Sequence, residues 1–408
     1  MEGSGGTGKL TGDMKTKIVH HNRAASIEAA ATLTTTSGSI IKIGLDVHQN
    51  FHVAVAQYDH GSLRPPRRFA PAEFVPWVES LLRAGHTVHV VYEACGLGFD
   101  LHRRLLAAGA HSLVIAPQAL DEAGTGIKND PRDARALCLR LGRYLDGNRH
   151  ALAVIRVPSE AEEQARAVHR QRQQLVRHRN KLQAQGRALV VNAGLPAPLT
   201  HWWRAQSWER IRRSLPAWVL ERLAVLRPML APLDEQISAL GRQLEADAPA
   251  GIPKGLGKLT TVVLTREVCD WHRFKNRRQV ASYTGLCPGE YSSGGKRIQG
   301  SVTKHGNPRL RAALVELAWR LVRFQPQYPP VYKRLGILAK GARATGSARK
   351  KAIVAVARQL AVDLWRLHTG RLGAAQLGLR CEPAETAGNE AATHEGAAGE
   401  AAANEAGC

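Results

Sequence analysis

The chain has 408 residues, 44% of them hydrophobic, with a formal net charge of +23 and a sequence pI of about 10.4. That length allows two or three domains and a sizeable core. No run of 18 apolar residues exists to span a bilayer as a helix, so the excess of positive charge points to an anionic polymer as partner, ahead of a membrane.

The charge is unevenly spread. Residues 248–370 hold 23 Lys and Arg against 5 Asp and Glu, whereas residues 371–408 hold 2 against 6. The basic character therefore belongs to the body, above all to its C-terminal third. The bland alternative is a set of solvated charged faces. The six cysteines are Cys95, Cys138, Cys269, Cys287, Cys381 and Cys408. None forms a C-x-x-C pair, which argues against a structural zinc site, and their wide spacing suits free thiols in a reducing cytoplasm. No apolar signal core is seen near Met1.

In chain order, residues 1–38 are rich in Gly, Ser, Thr and Ala and read as a flexible lead. Residues 39–150 alternate strand and helix signals. Ile40-Ile41-Lys42-Ile43-Gly44-Leu45-Asp46 is a short apolar run ending in an acid. Phe51-His52-Val53-Ala54-Val55-Ala56 follows a tight polar turn, as in a hairpin. Arg67-Arg68-Phe69-Ala70 suits an edge strand. An apolar stripe through Phe74, Val75, Val78, Leu81 and Leu82 predicts a helix over 72–84. Thr87-Val88-His89-Val90-Val91-Tyr92 is a buried strand, again ending in an acid, Glu93. A second helix over 97–108 and a strand over 112–116 complete the pattern. The fold class is therefore a mixed α/β sheet domain followed by mainly α structure.

Residues 151–247 read as two long helices. Val168, Leu175, Leu182 and Leu189 fall seven apart, the spacing of a coiled-coil seam. The second helix, over 217–244, is expected to break or bend at Pro228 and Pro232. The pair would make a projecting arm or take part in an ordinary bundle. Residues 248–370 read as a mainly helical, basic domain, and 371–408 as a disordered, Ala- and Glu-rich tail.

Four carboxylates stand out. Asp46 and Glu93 each close a strand, so neighbouring strands would project both from one sheet edge. Asp130 and Asp133 lie three apart in Lys128-Asn129-Asp130-Pro131-Arg132-Asp133, and Pro131 suits the first position of a helix, which puts both acids near one face. Crowded carboxylates are unfavourable unless a cation neutralises them. Hard Mg2+, or another divalent cation such as Mn2+, prefers oxygen ligands and leaves room for phosphate oxygens. The competing reading makes Asp130 a helix cap, Asp133 a partner of the helix dipole, and Asp46 and Glu93 turn residues.

Lys254-Gly255-Leu256-Gly257-Lys258 is a glycine turn feeding a helix and could offer N–H groups to phosphate, though its spacing is not that of a P-loop. The segment from Ser282 to Arg311 interleaves glycines and hydroxyls with Lys296, Arg297, Lys304, Arg309 and Arg311, and includes Asn307. It suits a loop that lets backbone approach a sugar–phosphate chain. A serine there is either a phosphate contact or a nucleophile, the second only if something lowers its pKa.

The anchors Gly44-Leu45-Asp46-Val47-His48, Tyr92-Glu93-Ala94, Lys128-Asn129-Asp130-Pro131-Arg132-Asp133-Ala134 and Tyr283-Thr284-Gly285-Leu286-Cys287-Pro288 run on through Ser293-Gly294 to Lys304-His305-Gly306-Asn307. In that order, over residues 41–367, the chain resembles the DEDD-type insertion-sequence transposases, whose studied members use a bridge RNA. Asn129 stands where Thr is more usual, leaving both acids intact. The resemblance implies a RuvC-like, RNase H-type N-terminal domain with Asp46, Glu93, Asp130 and Asp133 as its metal-binding acids. It also implies a coiled-coil arm and a C-terminal transposase domain whose catalytic serine maps to Ser293, beside Ser292. The implied protein is a nucleoid-associated cytoplasmic homodimer or homotetramer that binds DNA and a guide RNA, with the acids of one subunit acting beside the serine of another. The rival readings are a metal-dependent, junction-resolvase-like nuclease, which needs no serine, and a non-catalytic nucleic-acid-binding descendant.

Overall fold

The computed structural model describes residues 38–117, 130–196, 201–293 and 295–381. The flexible lead, most of the acidic tail and the Lys128-Asn129 part of the third acidic motif lie outside them. The chain forms two compact units, divided after Val157.

The first unit is a five-stranded sheet in the order β3-β2-β1-β4-β5, comprising β1 (Ile40–Val47), β2 (His52–Tyr58), β3 (Arg67–Phe69), β4 (Thr87–Glu93) and β5 (His111–Ile115). β1 is antiparallel to β2 and parallel to β4, which is parallel to β5. Strand alternation gives the sheet two faces. Ile41, Ile43 and Leu45 pack with Val88, Val90 and Tyr92 beneath α1 (Pro71–Arg83) and α2 (Asp100–Ala107). The opposite face carries Val53 and Val55, which meet Ala134 and Cys138 of α3 (Asp130–Leu145). Val91 and Ile115 meet Leu137 and Leu141 of the same helix. Each large side chain buried this way contributes roughly 1.5–3 kcal/mol, and together they fix the strand register that positions the acids.

Gly44 sits where α3 crosses β1, and a Cβ there would collide with the backbone of Ala134 and Cys138. Helix and strand can approach this closely only because the residue has no side chain.

The second unit begins with α4 (Glu160–Asn192), whose start is set by a reciprocal cap. Ser159 Oγ accepts from Glu162 N–H at 3.2 Å, and Glu162 Oε2 accepts from Ser159 N–H at 2.9 Å. A short helix, α5 (Ala205–Ile211), precedes α6 (Ala217–Ala246). α4 and α6 lie antiparallel. Arg172 Nε donates to Ile237 O and Arg179 pairs with Asp234, while Val190 near the other end packs with Val219 and Leu223. The seven-residue spacing is only part of this contact. Leu182 and Leu189 pack at the Trp202–Trp203 end, but the fully buried positions of α4 are His169, Gly186 and Val190.

Of the expected break or bend in α6, the break is not seen, because the helix runs through Pro228 and Pro232. Both prolines are exposed, so the carbonyls they leave unpaired face solvent, while the buried stripe through Leu226, Leu230 and Ile237 continues beneath.

The basic third is built from α7 (Lys258–Val268), α8 (Arg277–Thr284), the hairpin β6 (Pro288–Ser293) and β7 (Lys296–Val302), α9 (Pro308–Phe324), α10 (Pro329–Tyr332), α11 (Leu335–Leu338) and α12 (Gly346–His368). Its core includes Leu264, Leu314, Leu317, Val356 and Leu360. It shares one compact unit with the long helices. The physical reason is a polar tie between α4 and α7, described below. The tail is also corrected at its start. Leu377 and Leu379 are buried in the helical core, and Gln325 exchanges hydrogen bonds with the backbone of Arg380; residues 382–408 lie outside the described residues.

Candidate functional site

The strand register accounts for the first two acids. Leu45 pairs with Tyr92, so Asp46 and Glu93 are the next residues on neighbouring parallel strands. Alternation from Gly44 and Val91 turns both toward the face covered by α3. That helix runs antiparallel to β1, since Gly44 lies against Ala134 and Cys138 while Lys42 lies beside Gly142 further along it. Its first turn, with Asp130 and Asp133, therefore arrives at the end of β1 that carries Asp46.

Side-chain geometry completes a cluster. Asp46, His48 and Asp130 each bring a ligating atom within 4.8 Å of the others. His48 Nε2 lies 3.2 Å from Asp46 Oδ2 and 3.4 Å from Asp130 Oδ2, with Asp46 24% and Asp130 40% exposed. Burial pushes the Asp46 carboxyl above its ordinary range; His48 pulls it back, and Asp130 and Asp133 push it further up. Two partly exposed carboxylates brought this close fit a divalent cation.

His48 was quoted in the first motif without a role. Its signal was its place two residues past Asp46, just beyond the end of the strand, and only the turn conformation brings its ring back over the acids.

The C-terminal candidates are distributed differently. Ser293 closes β6 opposite Lys296, and Ser292 pairs with Arg297, so the segment expected as a loop is a two-stranded ribbon. Its Tyr291 and Ile298 are 75% and 60% exposed. Ser292 Oγ donates to Glu290 Oε1 at 2.8 Å. Lys254, Lys258 and Lys304 are exposed.

Asn307, Arg309 and Arg311 are partly buried and make internal ties. Asn307 Oδ1 accepts from Arg309 and Leu310 N–H, capping α9, and its Nδ2 donates to Glu267 Oε2 at 2.7 Å. Arg309 Nε donates to Gln173, and Arg311 to the carbonyls of Thr284 and Lys304.

Glu267 is the centre of that tie, and sequence reading had passed over it. Its side chain is 0% exposed, with His169 Nε2 at 2.8 Å and two bonds from Arg170 at 3.0 Å. Burial alone would raise its pKa; the bonds from His169, Arg170 and Asn307 reverse this and hold the carboxyl far below the usual range. Nothing in the local sequence marks this glutamate, because its partners lie 97, 98 and 40 residues away.

The mixed sheet with helices on its faces, and acids gathered where β1 ends, fits an α/β, RuvC-like domain of the DEDD class. Residues 43–193 match the DEDD transposase family, described as "Transposase", and residues 253–333 match the family described as "Transposase IS116/IS110/IS902 family". The chain is 33% identical over 306 residues to "Putative transposase y4rJ" of Sinorhizobium fredii, covering 68% of this chain and 76% of that protein. It is 30% identical over 301 residues to "Probable family 20 transposase" of Pseudomonas aeruginosa, covering 70% and 85%. It is 27% identical over 300 residues to "Transposase for insertion sequence element IS1111A" of Coxiella burnetii, covering 69% and 78%. The chain belongs to the IS110 family of DEDD-type transposases, enzymes that cut and rejoin DNA. Among the described residues, no helix is long and apolar enough to cross a membrane.

Proposed function

We propose that this transposase exchanges DNA strands of an insertion sequence by serine attack, with Asp46, Glu93, Asp130 and Asp133 holding a divalent cation, Mg2+ or Mn2+, at the scissile phosphate. The observation that carries the reading is the approach of Asp46 and Asp130 at the partly exposed end of β1. A bound divalent cation would neutralise these carboxylates and polarise a phosphate oxygen. The residues of the chain do the rest. Ser293 Oγ attacks phosphorus, its proton passing to solvent, and a phosphoserine diester forms as the bond to the leaving strand oxygen breaks. The hydroxyl of the partner strand later attacks that phosphorus, and the serine leaves and takes back a proton. Each exchange trades one phosphate ester for another, so no external energy source is needed.

Lys254, Lys258, Lys296, Arg297 and Lys304 supply the positive charge that holds the sugar–phosphate backbone. On this reading the protein acts as a homodimer or homotetramer with a guide RNA, acids and serine coming from different subunits. The long helices 151–247 form a coiled-coil arm between the catalytic region 39–150 and the transposase region 248–370.

The test is strand exchange on a defined donor and target, with the RNA that co-purifies. Replacing Asp46, Glu93 or Ser293 by Ala abolishes exchange and leaves DNA binding largely intact. Full recombination by Ser293→Ala would remove the covalent step. The second reading is hydrolysis by the acids alone, favoured by the fact that they all lie in the first unit, without the serine. Trapping a protease-sensitive protein–DNA adduct decides between the two.

A further inference from the structure

We propose that His48 is itself a ligand of the divalent cation, making the centre a mixed oxygen and nitrogen site that favours a transition ion such as Mn2+ over Mg2+. This rests on the reading of Asp46 and Asp130 as cation ligands, and adds a residue outside the four acids.

The first support is spacing. Two donors at right angles around an octahedral ion with bonds of about 2.1 Å lie about 3 Å apart. His48 Nε2 stands 3.2 Å from Asp46 Oδ2 and 3.4 Å from Asp130 Oδ2, near the edge length of such a shell. The second support is how the ring is held. His48 N–H donates to Phe51 O at 3.0 Å, which closes the turn between β1 and β2. The imidazole lies against the Phe51 ring at 4.7 Å, and the Arg68 guanidinium sits 3.7 Å over that same ring. The turn and this stack aim Nε2 at the acids before any cation arrives. Third, the donor set itself selects. Mg2+ takes oxygen and sheds water reluctantly, whereas imidazole nitrogen is a good donor to first-row transition ions.

The test loads the full-length protein with Mn2+ and records electron spin-echo envelope modulation, alongside calorimetric titration with Mn2+ and with Mg2+. Nitrogen-14 modulation is expected, changing to the nitrogen-15 pattern in protein labelled at histidine, a result that needs no variant. His48→Ala should lose the modulation and weaken Mn2+ binding about ten- to a hundredfold, on the scale of disturbing a ligand shell, with a smaller change for Mg2+. His48→Asp should shift preference toward Mg2+. Mn2+ binding that is abolished by Asp46→Asn yet shows no nitrogen modulation overturns the role of His48 and leaves the acid centre standing. Absence of Mn2+ binding, or binding indifferent to Asp46→Asn, overturns the acid centre and His48 with it.

Discussion

Two carboxylates, one in each unit, have been given opposite environments. Glu267 is fully buried and surrounded by donors from His169, Arg170 and Asn307, which together outweigh its desolvation. Asp46 is only partly buried, yet burial pushes its carboxyl up, His48 pulls it back, and Asp130 and Asp133 push it further up. The contrast separates two uses of an acid. Glu267 is complete and ties helices together, so it has nothing left to offer a ligand. The Asp46 cluster gathers two carboxylates that stay partly exposed, so an added cation can reach both.

Asp46→Ala should lower strand exchange by about a thousandfold or more, the scale for a group acting within a catalytic unit. Unfolding temperature should change little, and persistence of activity would place the chemistry elsewhere. Glu267→Ala should destabilise the second unit by about 3–5 kcal/mol, because it strands Arg170 and His169 without their counter-charge. Denaturant unfolding measures this, and a loss below 1 kcal/mol would remove Glu267 as the tie.

The two acids should also respond to pH with opposite signs. The pKa of Glu267 is depressed from 4.5, so its stabilisation is complete above that value and is lost as pH falls toward the folded-state pKa. The pKa of Asp46 is raised from 3.8, so the cost of its charge is present at neutral pH and is relieved as pH falls through the raised value. Thermal melts of Glu267→Gln and Asp46→Asn against wild type, across pH 3–7, read both signs. A saturating divalent cation at about a hundred times its Kd should add about 2.7 kcal/mol to wild type and nothing to Asp46→Asn.

A smaller effect sharpens the geometry. Gly44→Ala should cost about 1–3 kcal/mol by overpacking, and should reduce cation affinity by moving α3 and Asp130 away from β1. Unchanged cation affinity in that variant would show that the helix–strand approach does not set the site. Asn307→Ala is the smallest, about 1 kcal/mol for a lost helix cap, plus part of the Glu267 tie.

The approach of Asp46 and Asp130 was foreshadowed because a strand end and an Asp-Pro helix start are local signals. The sheet elements were legible for the same reason, since their periodicity is written within single segments. The edge strand β3 was readable even at three residues, with Phe69 facing the core beside Arg67 and Arg68. What was missed crosses long sequence distances or depends on exposure. The continuity of α6 follows from the outward position of Pro228 and Pro232, which composition does not reveal. Order in 371–381 follows from two leucines finding the helical core. The tie of Asn307 to Glu267 was not legible, because that partner lies 40 residues away.

Sequence alone determined the class of chemistry, because carboxylates at strand ends and a basic C-terminal third are set residue by residue. Tertiary structure decided which of these charges meet. Parallel pairing of β1 with β4, and the close crossing of α3 over Gly44, bring Asp46 to Asp130 and turn His48 onto both. Folding of α4 against α7 satisfies Glu267 completely. Coulomb energy depends on distance in space, and that distance is fixed only when the helices and strands have packed.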